Sequence, residues 1–383
     1  MQHQVAKRLY FVAGEASGDE HGAALMRSLR ELRPDLEFQG RGGPLMKEVA
    51  GDAFLNWSDA AAVVGLWEVV KRYGYFRQQF AEALREIAAI NPDAVVLIDY
   101  PGFNLRLARA LRKRSPRLKI IYYISPQVWA WNRGRIGQMA RFLDLMLCIF
   151  PFEAELYNQS GLRTIFVGHP MVENLAKRRT GEPRDPNLVG LFPGSRPREV
   201  KKIFPVMRAA ASKIAAQRPG TRFEVAAASP PLASEIRNFL ARSSFGELVQ
   251  VTTGDASGTM QRASAGMVAS GTATLEAAFF RLPFVLVYKV SWATYFAARL
   301  VMKTRYLGMP NVLADREIVP EFLQHEARPG AIAHSLLQLM NGPAPRERMI
   351  SDFDAIVEKL GETGASAKAA QAIIQELGEF SHG

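Results

Sequence analysis

A single cysteine, Cys148, is all the thiol this 383-residue chain carries, so no intrachain disulfide can form and no cysteine-built metal site is available. It lies in the apolar run Leu145 to Phe150, where a thiol packs as a small hydrophobe. Histidine is scarce as well, with six in the chain. His21 and His169 stand too isolated to suggest a metal cluster, and His169, ahead of Pro170, reads as a loop residue; no metal or other cofactor is expected. No apolar stretch reaches the roughly 18 to 20 residues that cross a bilayer. Met1 to Tyr10 carries His3, Lys7 and Arg8 but no apolar run with a small-residue cleavage site, so a secretory signal is not expected and the cytoplasm is. A P-loop spacing is missing, which argues against ATP hydrolysis, and so is the Gly-x-Ser-x-Gly elbow of serine hydrolases. RNP-like aromatics, zinc-finger spacing and long Lys/Arg blocks are missing too, so nucleic acid ranks below phosphate and membrane as a partner.

What the chain does have is charge and length. A formal charge of +11 implies an anionic target: nucleic acid, an acidic lipid surface or a phosphorylated substrate. At 383 residues it exceeds the about 100 to 200 residues of one ordinary core, so two domains are expected.

Short runs of branched and aromatic residues alternate with helix-compatible stretches, a βα rhythm. Leu9 to Ala13, Ala94 to Ile98, Ile120 to Ile124, Leu145 to Phe150 and Thr164 to Val167 are nearly all apolar, as strands buried on both faces of a parallel sheet must be. The cluster Pro183 to Pro186, after the basic run Lys177 to Arg179, reads as a linker. A second rhythm follows, with strands at Leu188 to Phe192, Phe223 to Ala228, Met267 to Ala269 and Phe284 to Tyr288. The expected fold is therefore α/β, two doubly wound parallel-sheet units in tandem. The expected bounds are 1–180 and 187–342, with a helical tail, 343–383, that packs back on the first unit or on a partner chain in a homodimer.

Such sheets bind ligands at the carboxyl ends of their strands. After the first strand comes Gly14-Glu15-Ala16-Ser17-Gly18-Asp19, either a ligand-approaching loop or a tight turn in which Ser17 or Asp19 caps the next helix. Ala94 to Ile98 delivers Asp99, either a general base or a helix N-cap, followed by Tyr100-Pro101-Gly102-Phe103-Asn104. In the second half, Pro193-Gly194-Ser195-Arg196 offers backbone N–H groups and a guanidinium that suit a diphosphate. Ser270-Gly271-Thr272-Ala273-Thr274-Leu275-Glu276 repeats the logic, with Glu276 either bridging ribose hydroxyls or favoured in the first turn by the helix dipole. The segment Gly65 to Phe76 mixes Leu66, Trp67, Val69, Val70 and Tyr73 with Lys71 and Arg72, which suits an interfacial helix on anionic lipid and equally an ordinary buried stripe. The same ambiguity attaches to Trp292 to Lys303.

Together with Ser125-Pro126-Gln127-Val128-Trp129-Ala130-Trp131, Met309-Pro310-Asn311 and Pro320-Glu321-Phe322-Leu323-Gln324, these segments run in the order found in the lipid-A-disaccharide synthase family, which the chain resembles from Arg8 to Gln324. The resemblance implies a GT-B fold, two Rossmann-like domains with a cleft between them. It implies inverting transfer from UDP-2,3-diacylglucosamine to 2,3-diacylglucosamine 1-phosphate, giving a β-1,6-linked disaccharide and UDP at the cytoplasmic face of the inner membrane. Asp99 would then be the base and Arg196 the partner of the departing diphosphate. Gly194, Ser195, Ser270, Gly271, Thr272, Thr274, Leu275, Glu276, Tyr288, Asn311 and Gln324 would line the UDP-sugar, and Glu15, Ser17 and Asn104 the acceptor. Acylated substrates favour the Trp67 segment as a surface on the anionic membrane. Two departures from the family pattern, Asn132-Arg133 and Pro197, bear on acceptor contacts and loop shape. The competing readings are another GT-B enzyme with a UDP-N-acetylglucosamine-type substrate and a non-catalytic, nucleotide-binding peripheral membrane module.

Overall fold

The computed structural model describes residues 7–57, 73–131, 133–241, 244–291 and 304–378. They form two compact units, Met1–Pro170 with Leu360–Gly383, and Met171–Lys359.

In the first unit the strands are β1 (Arg8–Ala13), β2 (Glu37–Gly42), β3 (Phe54–Asn56), β4 (Ala94–Ile98), β5 (Lys119–Tyr123), β6 (Leu145–Cys148) and β7 (Thr164–Phe166). They build one sheet in the order β3-β2-β1-β4-β5-β6-β7, and every pairing is parallel. Parallel strands need crossovers, and helices such as Ala16–Leu32 and Pro101–Arg114 supply them. The central strands are apolar at nearly every position because helices cover both faces; β4, Ala-Val-Val-Leu-Ile, is buried throughout.

The second unit repeats the plan with β8 (Asp185–Phe192), β9 (Arg222–Ala227), β10 (Val249–Thr253), β11 (Ala263–Val268), β12 (Phe284–Tyr288) and β13 (Glu321–Leu323). Its order is β10-β9-β8-β11-β12-β13, again parallel throughout. Helix Pro197–Gln217 buries Val200, Ile203, Phe204, Met207, Ala211 and Ile214, one apolar stripe at helical spacing. The unexpected Pro197 occupies the helix's first turn, where a missing N–H costs nothing.

Two boundaries differ from the sequence expectation. The division falls after Pro170, not near 180, and the tail is shared between the units. Helix Pro343–Lys359 stays on the second unit, where Phe353 stacks on Phe284 at 5.6 Å and Asp354 pairs with Arg281 at 2.6 Å. Only the last helix, Ala365–Glu376, returns to the first unit. It packs on Ala16–Leu32 through Ala369, Ala370, Ile373 and Ile374, and Glu376 takes Lys119 at 2.6 Å and Arg163 at 2.5 Å. Each buried isoleucine is worth about 1.5 to 3 kcal/mol, so apolar burial holds this helix and the ion pairs orient it. Nor is Pro183–Pro186 a free linker. Asp185 begins β8, and the Arg184 guanidinium donates to the carbonyls of Met260, Gln261, Ala263 and Phe280.

Candidate active site

In the first sheet, order reverses between β1 and β4, whose residues Ala13 and Ile98 pair directly. The loops after these strands diverge to opposite sides, leaving a crevice at their carboxyl ends. Glu15 and Asp99 stand there. The Asp99 carboxyl is pushed up to about 6, chiefly by burial and secondly by the charge of Glu15, with the Tyr100 N–H pulling the other way. A carboxylate so placed is ionised at neutral pH yet basic enough to take a proton.

The backbone that presents it is strained and firmly held. Asp99 and Tyr100 are both left-handed, at φ 44° and 50°, which costs roughly 1 to 2 kcal/mol for each side-chain-bearing residue. The Asp99 N–H donates to the Tyr123 carbonyl at 3.0 Å, while its own carbonyl accepts from the Tyr122 hydroxyl at 2.6 Å and from Asn104 Nδ2 at 2.8 Å. Tyr100, not Asp99, is the N-cap of helix Pro101–Arg114, so the capping role considered for Asp99 falls to its neighbour, and without a side-chain bond. Trp57 donates Nε1 to the Ala13 carbonyl at 2.6 Å and meets the Tyr100 and Phe103 rings at 6.2 and 5.1 Å. Behind Trp57 lies Arg41, a fully buried guanidinium bonded to Glu86 at 2.5 Å and Gln79 at 2.7 Å.

The expected acceptor residues separate. Glu15 and Ser17 are exposed at the start of Ala16–Leu32. Asn104 is fully buried, its amide donating to the carbonyls of Val12, Ile98 and Asp99, so it fastens β1 and β4 under the site. Asp19 caps a different helix from the one expected: its carboxylate accepts from Gly43, Leu45 and Met46, at the start of Pro44–Ala50.

The second sheet reverses between β8 and β11, where the Ala269 N–H donates to the Phe192 carbonyl at 2.9 Å and sets the two glycine loops side by side. Gly194 is left-handed at φ 106°. Arg196, exposed, is the N-cap of Pro197–Gln217 and reaches Glu199 at 3.3 Å. The Tyr288 hydroxyl is raised by burial and then by the charge of Glu199, and lowered by Arg196. Ser195 is exposed, as are Gly271 and Thr272, with open space around Gly271. Glu276 is raised by burial, opposed by Arg178.

Four expected donor contacts turn inward. Thr274 closes its own turn on the Gly271 carbonyl at 2.8 Å, and Leu275 is buried. Asn311 spends its whole amide on the fold, donating to the Val319 carbonyl and Glu321 and accepting from the Ile318 and Val319 N–H groups. Gln324 clamps the Val290 backbone at 3.2 and 3.3 Å. These residues shape the site without presenting a group to it.

Sequence reasoning missed Tyr122, Trp57, Arg41 and Glu153. Glu153 is fully buried and pushed up to about 7, mainly by burial, and accepts from Trp129 Nε1 at 2.8 Å. His169 lies in the loop before Pro170, as expected, and is held there: its ring is buried against Phe150 at 5.3 Å, and its backbone N–H donates to the Leu360 carbonyl at 2.8 Å. The proposed membrane segment, with Leu66, Trp67, Val69 and Val70, lies outside the described residues, as do Trp292–Lys303 and the side chain of Tyr73. Among the described residues no helix is long and apolar enough to cross a membrane, and no three His, Cys, Asp or Glu side chains gather as metal ligands would.

Two Rossmann-type parallel sheets in one chain, each with polar groups at its switch point, define a GT-B-type fold. The fold agrees with a UDP-GlcNAc 2-epimerase from Neisseria meningitidis solved with UDP-GlcNAc, at TM-score 0.62 and 10% identity over 97% of this chain and 100% of that one. It agrees also with the calicheamicin glycosyltransferase CalG4, at TM-score 0.58 and 15% identity over 97% and 98%. The chain belongs to the lipid-A-disaccharide synthetase family, whose model matches residues 9–375. It is 37% identical to a lipid-A-disaccharide synthase of Geobacter sulfurreducens over 99% of this chain and 100% of that protein.

Proposed function

We propose that in this lipid A disaccharide-forming glycosyltransferase Asp99 is the general base and Arg196 the partner of the leaving diphosphate. The donor is UDP-2,3-diacylglucosamine and the acceptor 2,3-diacylglucosamine 1-phosphate. Asp99 takes the proton from the acceptor's 6-hydroxyl as that oxygen attacks the anomeric carbon, and the bond to UDP breaks on the opposite face, inverting the centre. Arg196 and the backbone N–H groups beside Gly194 meet the charge that develops on the diphosphate, so the reading requires no metal. Tyr288 flanks the uracil, and Glu276 takes the ribose hydroxyls.

The observation that carries this reading is the raised Asp99 carboxyl on a backbone locked at the β1/β4 switch point. A carboxylate retained only for folding has no need of a left-handed turn that projects it there. Acylated substrates and a charge of +11 support docking on the anionic cytoplasmic face of the inner membrane through the 66–73 segment. Product analysis tests the reaction: purified protein with both substrates yields UDP and disaccharide in equal amounts, and UDP release no higher than without acceptor contradicts it. Serine at Leu66, Trp67, Val69 and Val70 lowers sedimentation with anionic liposomes; unchanged sedimentation in a folded variant contradicts the docking segment.

A further inference from the structure

Helix Pro101–Arg114 begins two residues after Asp99 and buries Phe103, Asn104, Leu107, Ala108 and Leu111 against the sheet. Its other face, at spacings of three and four residues, carries Gly102, Leu105, Arg106, Arg109 and Lys113. That face lines a cavity of about 670 Å³, closed on the far side by Gly134 to Phe142. Among the described residues of its rim, Arg106, Arg109, Lys113 and Arg135 are cationic. A contiguous cavity of about 650 Å³ shares Arg109 and Lys113 and adds Arg112 and Arg141. Among the described residues no acidic side chain lines either one. The floor is apolar, with half-buried Leu105 and buried Met139 and Phe142.

Part of this charge belongs to the fold. Arg112 pairs with Asp144 at 2.5 Å, and Arg109 bonds Gln138 at 2.9 Å and lies over the Phe142 ring at 5.5 Å. Cations in the last turn also suit the helix dipole. Neither account covers Arg106, in the middle of the helix, or an open groove over an apolar floor. A site with a cationic rim and an apolar floor selects an amphiphile that carries a phosphate. Arg106 stands about 8 Å along the helix axis from Pro101, the scale of one hexose ring from the residues that follow the base.

Building on the reaction under Proposed function, we propose that this groove is the acceptor's subsite. Its rim holds the phosphate of the acylated sugar phosphate, and part of an acyl chain lies on Leu105 and the open edge of Phe142. The sugar hydroxyl is thereby directed toward Asp99.

The test is Arg106→Gln/Lys113→Gln, with Arg114→Gln/Arg117→Gln as a control that removes the same charge from exposed positions outside the groove. Calorimetry in neutral detergent micelles measures binding of diacylglucosamine 1-phosphate and of its dephosphorylated form. The groove variant should bind the phosphorylated form about tenfold more weakly, matching the loss of a charge-assisted contact. Its affinity for the dephosphorylated form, its KM for the UDP-sugar and its sedimentation with phosphatidylglycerol vesicles should match the control. Equal weakening for both sugar lipids, or unchanged binding of the phosphorylated one, overturns the subsite. So does loss of vesicle sedimentation with micellar binding intact, which assigns the groove to bulk anionic lipid. Binding is read without turnover, so a wild-type protein that binds acceptor but releases no UDP strikes the reaction and leaves the groove standing.

Discussion

The ring of Tyr100 lies directly over Gly14: a Cβ on Gly14 would stand 2.4 Å from Tyr100 Cδ1. The first glycine of the β1 loop is thus required by the residue next to the base. Its role is to leave room for a ring, and it does not adopt a left-handed conformation.

Gly14→Ala should therefore displace Tyr100 and lower kcat, with a stability loss of about 1 to 3 kcal/mol from overpacking. Tyr100→Ala in the same chain should recover much of that stability, because the clash has gone. A double-mutant cycle by urea unfolding measures the coupling; strictly additive effects would show that the two residues do not meet.

Tyr122→Phe removes one of the two side-chain donors to the Asp99 carbonyl among the described residues. A loss of about 1 kcal/mol in stability is expected, with a several-fold fall in kcat and little change in the KM for UDP-sugar. Steady-state kinetics beside thermal unfolding separate the two effects. A variant that loses stability at full kcat would limit Tyr122 to packing.

Arg196→Ala should lower kcat about 100-fold, as removal of a donor to developing charge does elsewhere. Stability should barely change, because the Arg196 end of its pair with Glu199 is exposed and the contact is a long 3.3 Å. Lysine at 196 should recover only part, since it keeps the charge and loses the planar fork. Full activity of the alanine variant would remove Arg196 from the diphosphate.

His169 is pushed down to about 4 by burial, with the charge of His21 acting the same way. Between pH 6.5 and 4 the unfolded chain binds this proton and the folded chain does not, so stability rises with pH across that window and falls on acidification. The slope from one such group approaches about 1.4 kcal/mol per pH unit. His169→Phe should flatten the pH dependence of urea midpoints there; an unchanged slope would show that other groups set it.

The parallel core was legible in the sequence because β1, β4, β5 and β12 are apolar runs buried on both faces. β2 was not: Glu-Phe-Gln-Gly-Arg-Gly has no run of apolar residues. Yet Gly40 lies where a Cβ would meet the Phe11 carbonyl at 2.1 Å, and Arg41 is neutralised by a glutamate 45 positions away. Partners so distant leave no local pattern. β3 and β13, Phe-Leu-Asn and Glu-Phe-Leu, are three-residue edge strands with a polar residue at one end, and lack the β-branched run that makes the equally short β7 legible. Of the candidate site, Asp99, Gly194, Arg196 and Gly271 could be placed at strand ends from the sequence, while the roles proposed for them come from the family resemblance. The inward turn of Asn311 and Gln324 could not, because an amide looks the same in sequence whether it faces a ligand or the Val319 and Val290 backbone.

The central claim is that Asp99 accepts the acceptor's proton, and its most direct test is the pH dependence of kcat/KM for the acceptor. The wild type should show an acid limb near pH 6, activity falling tenfold per pH unit below it as Asp99 is protonated. Glu15→Gln should move the limb only modestly lower, because burial and not Glu15 is the larger cause. Asp99→Asn should lower kcat by about 100-fold or more with UDP affinity retained, and its residual rate should lack the limb. An Asp99→Asn enzyme that keeps both its rate and its limb near pH 6 would contradict the account.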